Sequence, residues 1–270
     1  MKKLLSIVIL LLASSAHAGG WRTAIMADNA ASVTSSAPVF VGGSSNGVND
    51  GIGPNSSPNT VTLTKPAGTS TGALILLFSG VIDDTNTTTL TWPAGFTENA
   101  NSIYVSFSGP YTVKVRFATK IAGSSEPSSY AITASAPAYT IHVGAIAVYS
   151  GVNSTTPIEA ITATGYNTPG GYLTTHTAIG VGVTSGTANR VIVQVSGLRV
   201  DSGAIYTYAS PSGYTSRFNY PVAANSYTPL SLSDYTDVAG TNTANAISSF
   251  IGNVGNNAGR WAYMLALKPQ

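Results

Sequence analysis

The pattern of hydrophobic and polar positions along this chain is typical of β-strands. Val61–Thr64 and Tyr111–Phe117 alternate apolar with polar residues, which predicts strands with one buried face and places Lys114 and Arg116 outward. Ala73–Val81 is a continuous apolar run, as in a strand that is buried on both faces. Turn residues recur roughly every 8–12 residues, and no segment beyond residue 18 has a helical period. The pattern therefore predicts an all-β fold, an antiparallel β-sandwich.

Several landmarks of this pattern occur twice, in the same order and 117 or 118 residues apart. They are a Gly-Thr pair, a Ser-Gly pair and a Pro-x-Gly-aromatic-Thr turn. The first copies are Gly68-Thr69, Ser79-Gly80 and Pro93–Thr97, and the second copies are Gly186-Thr187, Ser196-Gly197 and Pro211–Thr215. This repeat predicts two sequence-related halves, at about 61–152 and 178–270. Two independent domains are the alternative, because halves of this size can each support a small core.

The N-terminus has the pattern of a secretory signal peptide over residues 1–18. Lys2 and Lys3 precede an apolar stretch, and Ala16-His17-Ala18 is a small-x-small cleavage site. The apolar stretch is much shorter than the roughly 20 residues that span a bilayer, so we expect no membrane span. Export through the Sec route is expected, which makes the protein secreted or surface-bound, with the periplasm as the alternative. Residues 19–60 are rich in Gly, Ser and Asn and predict an N-terminal arm before the folded body, 61–270.

Composition limits the classes of partner. The chain has 12 basic and 10 acidic residues, and two of the basic ones lie in the predicted leader, so the mature chain is close to neutral. Without a basic cluster to neutralise phosphates, we expect no nucleic-acid binding. Only 8% of the residues are charged, so surface polarity must come from Ser, Thr, Asn and Gly. The chain has no cysteine, and its stability therefore depends on its core.

Between residues 61 and 270 the chain carries a further ordered set of turn and core motifs. They are Pro66-Ala67-Gly68, Trp92–Thr97, Val115–Ala118, Ser125–Tyr130, Ala147–Val152, Thr156–Glu159 and Ala266–Pro269. In this order they resemble a broad group of modules found in phage tail-associated and bacterial secreted or surface proteins. The resemblance implies a jelly-roll β-sandwich with a structural or glycan-contacting role. It transfers no catalytic motif.

A calcium site is the only cofactor site that the sequence suggests. Asp83, Asp84 and Asn86 offer hard oxygen ligands on one loop, and Asp201 occupies the corresponding place in the second half. The complete alternating calcium loop with a distal Glu is missing. The same residues are also ordinary turn formers, and this reading remains open beside the calcium site.

The sequence supports no catalytic residue. The predicted mature chain has two histidines, His142 and His176, and no Gly-x-Ser-x-Gly motif accompanies either. His142 lies in an apolar strand, where a histidine with satisfied hydrogen bonds or an outward position is expected. The three glutamates, Glu98, Glu126 and Glu159, show no spacing that predicts a pair of catalytic carboxylates. A secreted hydrolase is therefore the least favoured of the functions considered.

Aromatic residues suggest sugar binding, because aromatic faces stack on sugar rings while polar groups bind their hydroxyls. The chain has 14 Tyr and 7 Phe. The candidate ligand-binding residues are Tyr206, Tyr208, Tyr166, Tyr172 and Trp92; core packing is the alternative, especially for Trp92.

The leading hypothesis is thus a non-catalytic adhesin-like or carbohydrate-binding module that contacts a glycan or another cell-surface polymer. The alternative is a structural subunit of an extracellular fibre or phage-type appendage, which would assemble with copies of itself into a homo-oligomer. In that case the N-terminal arm would add a strand to the sheet of a neighbouring copy.

Overall fold

A computed structural model describes residues 35–48, 59–83, 87–100, 103–106, 112–135, 141–169, 175–177, 181–184, 187–200, 207–220, 230–239, 243–246, 249–251 and 257–270. These residues form strands, turns and connecting segments, and no helix occurs among them. The described part of the chain accordingly has no helix that could cross a membrane. The all-β prediction is confirmed. The predicted leader, 1–18, lies outside the described residues.

Nineteen strands are present in the described ranges. In chain order they are β1 (Val39–Val48), β2 (Asn59–Thr64), β3 (Leu74–Asp83), β4 (Leu90–Thr91), β5 (Thr97–Glu98), β6 (Ile103–Ser106), β7 (Thr112–Ile121), β8 (Ser129–Ala134), β9 (Ile141–Ser150), β10 (Ile158–Pro169), β11 (Thr175–Thr177), β12 (Val181–Thr184), β13 (Arg190–Val200), β14 (Thr207–Ala209), β15 (Thr215–Tyr220), β16 (Leu230–Asp237), β17 (Thr243–Ala246), β18 (Ser249–Ile251) and β19 (Asn257–Leu267).

The strands form two large and three small sheets. The first sheet has the order β1-β9-β3-β7-β5, with β6 also paired to β7, and the second sheet has the order β10-β19-β13-β16-β15. The small sheets are β2-β8-β4, β11-β18-β14 and β12-β17. All pairings between these strands are antiparallel. When the strands of each large sheet are numbered 1 to 5 in chain order, leaving out β6, their spatial order across the sheet is 1-5-2-4-3 in both sheets.

The two large sheets bury a common core between them, in the manner of a β-sandwich. Its members are alternate residues of the inner strands: Leu74, Leu76, Phe78, Val113, Val115, Phe117, Ala145, Ala147 and Tyr149 from the first sheet, and Val191, Val193, Val195, Leu230, Leu232, Trp261, Tyr263, Leu265 and Leu267 from the second. The ring centroids of Phe117 and Tyr263 lie 5.3 Å apart, and the Tyr263 hydroxyl donates to the Val115 carbonyl at 2.7 Å. Each large buried side chain contributes about 1.5–3 kcal/mol.

The outer faces of both large sheets are also covered. On the first sheet, Ile75, Leu77, Ile146 and Val148 pack against apolar residues of β2 and β8 in a second core. This covering explains why Lys114, predicted to point outward, is only 5% exposed. Its ammonium group donates to the Thr88 carbonyl at 3.3 Å. That prediction was wrong, because alternation in one strand does not reveal a third layer above it.

Strand β1 lies within the range that the sequence predicts as an arm, and it pairs with β9 as a strand of the first sheet. Its other flank is tied to β2, since Asn46 donates to the Thr62 carbonyl at 3.0 Å. It also approaches β15 closely. A Cβ atom at Gly43 would lie 3.0 Å from the Phe218 ring and 2.8 Å from the Ile146 carbonyl, so only glycine fits this contact. Strand β1 thus links the edge of the first sheet to the edge of the second.

Candidate ligand cleft

A cleft of about 260 Å³ opens where the start of β1 meets the second sheet. Its lining comes from the segment that leads into β1, from the start of β1 and from β13, β15 and β16: Ala37, Pro38, Val39, Phe40, Val191, Arg217, Asp234 and Thr236. Asn189 holds this segment in place. Its side-chain amide donates to the Ser35 carbonyl at 3.0 Å, and its backbone N–H donates to the Val238 carbonyl at 3.3 Å. The cleft therefore has one wall from each large sheet.

The repeated turn at 211–215 delivers Arg217 to this cleft. Gly213 has a φ of 84°, a left-handed conformation that favours glycine, and Tyr214 N–H donates to the Pro211 carbonyl at 3.0 Å. Strand β15 follows at once. Its pairing with β16 shifts register between Ser216 and Phe218, which leaves Arg217 as the extra residue of a β-bulge. Bulges redirect side chains and are frequent beside functional sites.

Arg217, Asp234 and Tyr149 form a connected set behind the cleft. One carboxylate oxygen of Asp234 accepts a hydrogen bond from Arg217 Nε, and the other accepts one from the Tyr149 hydroxyl, both at 2.8 Å. The Asp234 side chain is 3% exposed and Tyr149 is fully buried, whereas the Arg217 side chain is 33% exposed. The carboxylate therefore lies inside, and the guanidinium is the part that reaches solvent.

Burial shapes the ionisation of this set. Burial raises the pKa of Asp234 and outweighs the hydrogen bonds from Tyr149 and Arg217, which lower it. Burial, followed by the nearby charge of Asp234, raises the pKa of the Tyr149 hydroxyl well above its ordinary value. Tyr149 consequently remains a neutral hydrogen-bond donor to Asp234 at any physiological pH.

Phe40 packs against the same set. The guanidinium carbon of Arg217 lies 5.0 Å from the centroid of the Phe40 ring, a cation–π contact. Phe40 also meets the Tyr149 ring edge-on, with centroids 5.4 Å apart. Arg217 Nε is its only nitrogen that donates a hydrogen bond to a residue in the described ranges. The terminal nitrogens of the guanidinium are thus available to a ligand in the cleft.

The rim of the cleft is apolar. Val39 and Val238 are 60% and 69% exposed, and among the residues whose side chains are described they are the only exposed large hydrophobic ones. Val39 lines the cleft, and Val238 follows two residues after Thr236, which also lines it. Val39 thus places an exposed apolar side chain at the cleft.

Of the candidate sugar-binding residues, Trp92 alone has a described side chain. Its indole N–H donates to Glu98 at 2.8 Å, and Glu98 forms an ion pair with Arg116 at 3.2 Å. Trp92 is partly buried against the second core, so its ring contributes to core packing. The backbones of Tyr166 and Tyr208 belong to β10 and β14, but their side chains lie outside what the structure describes, as do Tyr172 and Tyr206 entirely.

The predicted calcium ligands also fall at the limit of the described residues. Asp83 ends β3, its side chain is not among those described, and Asp84 and Asn86 lie outside the described ranges. Within those ranges, no three His, Cys, Asp or Glu side chains come together in a way that could hold a metal ion. The calcium site stays a prediction.

A serine and a histidine do meet inside the first sheet. His142 Nδ1 lies 3.1 Å from the Asn59 carbonyl, which can only accept, so Ser79 Oγ donates to His142 Nε2 at 2.9 Å. Both side chains are 0% exposed. Burial lowers the pKa of His142 to about 4, which the hydrogen bond to Asn59 opposes only in part. The pair is a neutral, satisfied core contact that no ligand can reach from the surface.

The carboxylate of Glu126 is likewise hydrogen-bonded to neighbouring groups of the protein. Its carboxylate accepts hydrogen bonds from Lys120 at 2.8 Å, from the Tyr130 hydroxyl at 2.7 Å and from the Gly123 N–H at 2.7 Å. Burial alone would raise the pKa of Glu126, but these three hydrogen bonds outweigh it and the pKa is lowered. The carboxylate fixes the loop between β7 and β8.

The residues of the cleft were not found from the sequence. Arg217 and Asp234 are 17 positions apart, and Tyr149 is 85 positions from Asp234. One signal was available: Arg217 comes two positions after the repeated turn, at the place where the first half carries Asn99. Comparison with known proteins found no matching family model, no matching curated protein and no matching solved structure.

Proposed function

We propose that this protein is a secreted, non-catalytic β-sandwich module that acts by binding, and that it binds a glycan in the cleft between β1 and the second sheet. The observation that carries the proposal is the cleft itself, with its Arg217–Asp234 pair, the Phe40 ring and the apolar rim. Sugars offer hydroxyls and an apolar C–H face, and they are bound by a few polar groups set beside apolar and aromatic surface. The volume of about 260 Å³ suits one sugar residue of a longer chain.

The proposal includes the jelly-roll and repeat interpretations of the fold. The shared 1-5-2-4-3 order of the large sheets supports two related halves, and so do the small sheets β2-β8-β4 and β11-β18-β14. Each half would then be a roll that consists of one large sheet and its covering strands. The two rolls would pack through their large sheets around the common core. Tyr206, Tyr208, Tyr166 and Tyr172 remain candidates for a second contact face on the second half.

Binding to polysaccharides tests the glycan proposal. The mature chain is applied to an array of neutral and acidic glycans, together with the variants Arg217→Gln and Arg116→Gln. Arg116 is a matched control, since it also pairs with a carboxylate but lies away from the cleft. We expect binding by the wild type and by Arg116→Gln and a loss of at least about tenfold in Arg217→Gln. Absence of binding to every glycan would refute the proposal.

A second candidate function is assembly by strand addition, which the long edge of the second sheet favours. Strand β10 has 12 residues, and among the described residues it pairs only with β19. Glu159 is its only charged residue, so little opposes the pairing of a strand from a second copy. Sedimentation of the wild type, of Thr162→Lys on this edge and of Ser212→Lys in an exposed turn tests this function. Oligomers that Thr162→Lys alone disrupts would support it, and a monomer at all concentrations would contradict it.

A further inference from the structure

The guanidinium of Arg217 has two edges, and they are used differently. Its inner edge donates from Nε to Asp234 at 2.8 Å. The outer edge, formed by the two terminal nitrogens, makes no hydrogen bond within the described residues, and the side chain lines the cleft. Two parallel N–H groups on such an edge match the two oxygens of a carboxylate and bind it in a bidentate manner.

The orientation of this edge is fixed before any ligand arrives. Asp234 holds Nε, the Tyr149 hydroxyl holds Asp234 at 2.8 Å, and the Phe40 ring supports the guanidinium at 5.0 Å. The bulge at Arg217 directs the side chain out of the regular β15 pairing. A ligand therefore binds a side chain that has already lost much of its conformational freedom, which reduces the entropic cost of binding.

The remaining lining decides between a ligand with one strong polar group and a ligand with many weak ones. Five of the eight lining residues have apolar side chains, and the polar ones are Arg217, Asp234 and Thr236. A neutral sugar would offer the guanidinium only uncharged acceptors, which form weaker hydrogen bonds with it than a carboxylate does. A sugar that carries a carboxylate presents its strongest acceptor at one point and can place its C–H face on Val39 and Phe40.

Asp234 does not block such a ligand. Its carboxylate is 3% exposed, and both of its oxygens accept hydrogen bonds from Arg217 and Tyr149. Although Asp234 lines the cleft, its carboxylate contacts the guanidinium at the inner, Nε edge and leaves the two terminal nitrogens unoccupied within the described residues. Its role is that of a positioning residue, which orients Arg217 through the Nε hydrogen bond.

We infer that the cleft recognises the carboxylate of an acidic sugar, such as a uronic acid residue within a glycan, through the outer edge of the Arg217 guanidinium. This inference rests on the proposed function and specifies the class of glycan. Asp234 and Tyr149 position the guanidinium, and the apolar side chains at the rim contact the C–H face of the same sugar.

Titration calorimetry with matched ligands tests the inference on the mature chain. The probes are oligomers of galacturonic, glucuronic and mannuronic acid, each compared with its methyl ester, which keeps the sugar and removes the charge. We expect at least one acid to bind about tenfold or more tightly than its ester. The preference should weaken with rising salt, as charge pairing at a partly exposed site does.

Two variants separate the effect of the two parallel guanidinium donors from the effect of positive charge alone. Arg217→Lys keeps the positive charge but loses the two parallel donors, and we expect it to lose most of the preference for the acid. Arg116→Lys is the matched control and should keep the preference. Thermal unfolding of both variants verifies that they are folded.

Each other result has a distinct meaning. Equal binding of acid and ester, or an Arg217→Lys variant that keeps the preference, would overturn the carboxylate assignment and leave the glycan proposal in place. Binding of a short peptide through its C-terminal carboxylate, with no binding of any uronic acid, would overturn the sugar assignment. Failure of every acidic and neutral glycan to bind would overturn the inference and the proposed function together.

Discussion

The two large sheets meet at two corners, and the Arg217–Asp234 ion pair belongs to one of them. Strand β1 packs against β15 at one corner, and β10 packs against β6 at the other. Phe40 of β1 faces Tyr149 of β9, and in the same place of the second sheet Ile158 of β10 faces Leu267 of β19. A register shift follows both Phe40 and Ile158, so the frameworks agree even in this irregularity. The aromatic pair at one corner thus corresponds to an aliphatic pair at the other.

The same correspondence extends to the charged residues. Asp234 of β16 faces Thr215 of β15, just as Thr119 of β7 faces Thr97 of β5. Asp234 therefore occupies the place of a threonine. Two positions after these partner threonines, the second half has Arg217 and the first half has Asn99.

The difference indicates which residues the framework requires. At the places that correspond to Tyr149, Asp234 and Arg217, the other corner has Leu267, Thr119 and Asn99, so the shared strand order does not depend on an ion pair at these places. A largely buried ion pair is also a weak source of stability, because its desolvation offsets most of its attraction. The shared framework therefore does not account for the Arg217–Asp234 pair, and contact with a ligand is the role that we propose for it.

The largest effect is expected when only one member of the pair is removed. Asp234→Ala leaves the Tyr149 hydroxyl without its buried acceptor and Arg217 without its partner. We expect a loss of about 3 kcal/mol in the free energy of unfolding, less than for a fully enclosed pair because Arg217 reaches water. Thr119→Ala, at the corresponding place, should cost less than about 1 kcal/mol. Urea unfolding of both variants measures the difference, and equal losses would contradict the comparison.

Lowering the pH should change the contributions of His142 and Asp234 to stability in opposite directions. The pKa of His142 is about 4 in the folded chain against 6.5 for a free histidine, so the unfolded chain binds more protons between these values. Stability should fall by about 2–3 kcal/mol as the pH is lowered from 6.5 to 4. Asp234 has the opposite sign: its raised pKa makes its contribution more favourable as the pH falls.

The variant His142→Gln removes the histidine titration and is the control for this experiment. Urea unfolding at a series of pH values should give a flatter profile for the variant than for the wild type. A wild-type profile as flat as that of the variant would show that His142 does not have its pKa lowered in the folded chain.

A smaller effect is expected for Tyr149→Phe. The change removes one hydrogen bond to Asp234 at constant ring packing and should cost about 1–2 kcal/mol. It should also weaken ligand binding, since Asp234 then holds Arg217 less firmly. Tyr130→Phe is the matched control, because its hydroxyl donates to Glu126 far from the cleft. Calorimetric unfolding should give similar losses for both variants, but a glycan titration should change only for Tyr149→Phe.

The smallest change in stability is expected when the corner with the Arg217–Asp234 pair is rebuilt to resemble the other one. In the triple variant Tyr149→Phe, Asp234→Thr and Arg217→Asn, no charge is left unpaired. We expect a free energy of unfolding within about 1 kcal/mol of the wild type and a complete loss of ligand binding. Retention of binding by this folded variant would refute the assignment of the cleft.

The sequence was sufficient for inner strands such as β3 and β7, but not for the edge strand β10 or for the cleft. Apolar runs such as Ala73–Val81 identify inner strands, because burial on both faces needs a continuous run of hydrophobic residues. Strand β10 was not predicted, because Ile158–Pro169 is rich in Thr, Gly and Ala, a composition typical of a loop. Lys114 was misplaced because a third layer leaves no trace in the pattern of a single strand.

The polar set of the cleft depends on pairings that no local pattern encodes. Arg217 reaches Asp234 only because β15 and β16 are neighbours with a bulge between Ser216 and Phe218. Tyr149 reaches Asp234 from the other sheet. Such contacts follow from sheet docking, so these side chains could be located only once the tertiary structure was available.

The cleft has one wall from each sheet, and this has a mechanical consequence. Val39 and Phe40 belong to β1 of the first sheet, whereas Arg217 and Asp234 belong to the second sheet. Any molecule held between them acts as a non-covalent cross-link that resists sliding or separation of the two layers. A tethered chain that is pulled while its ligand is seated should therefore withstand more force than an empty one, since rupture of the layers must first expel the ligand.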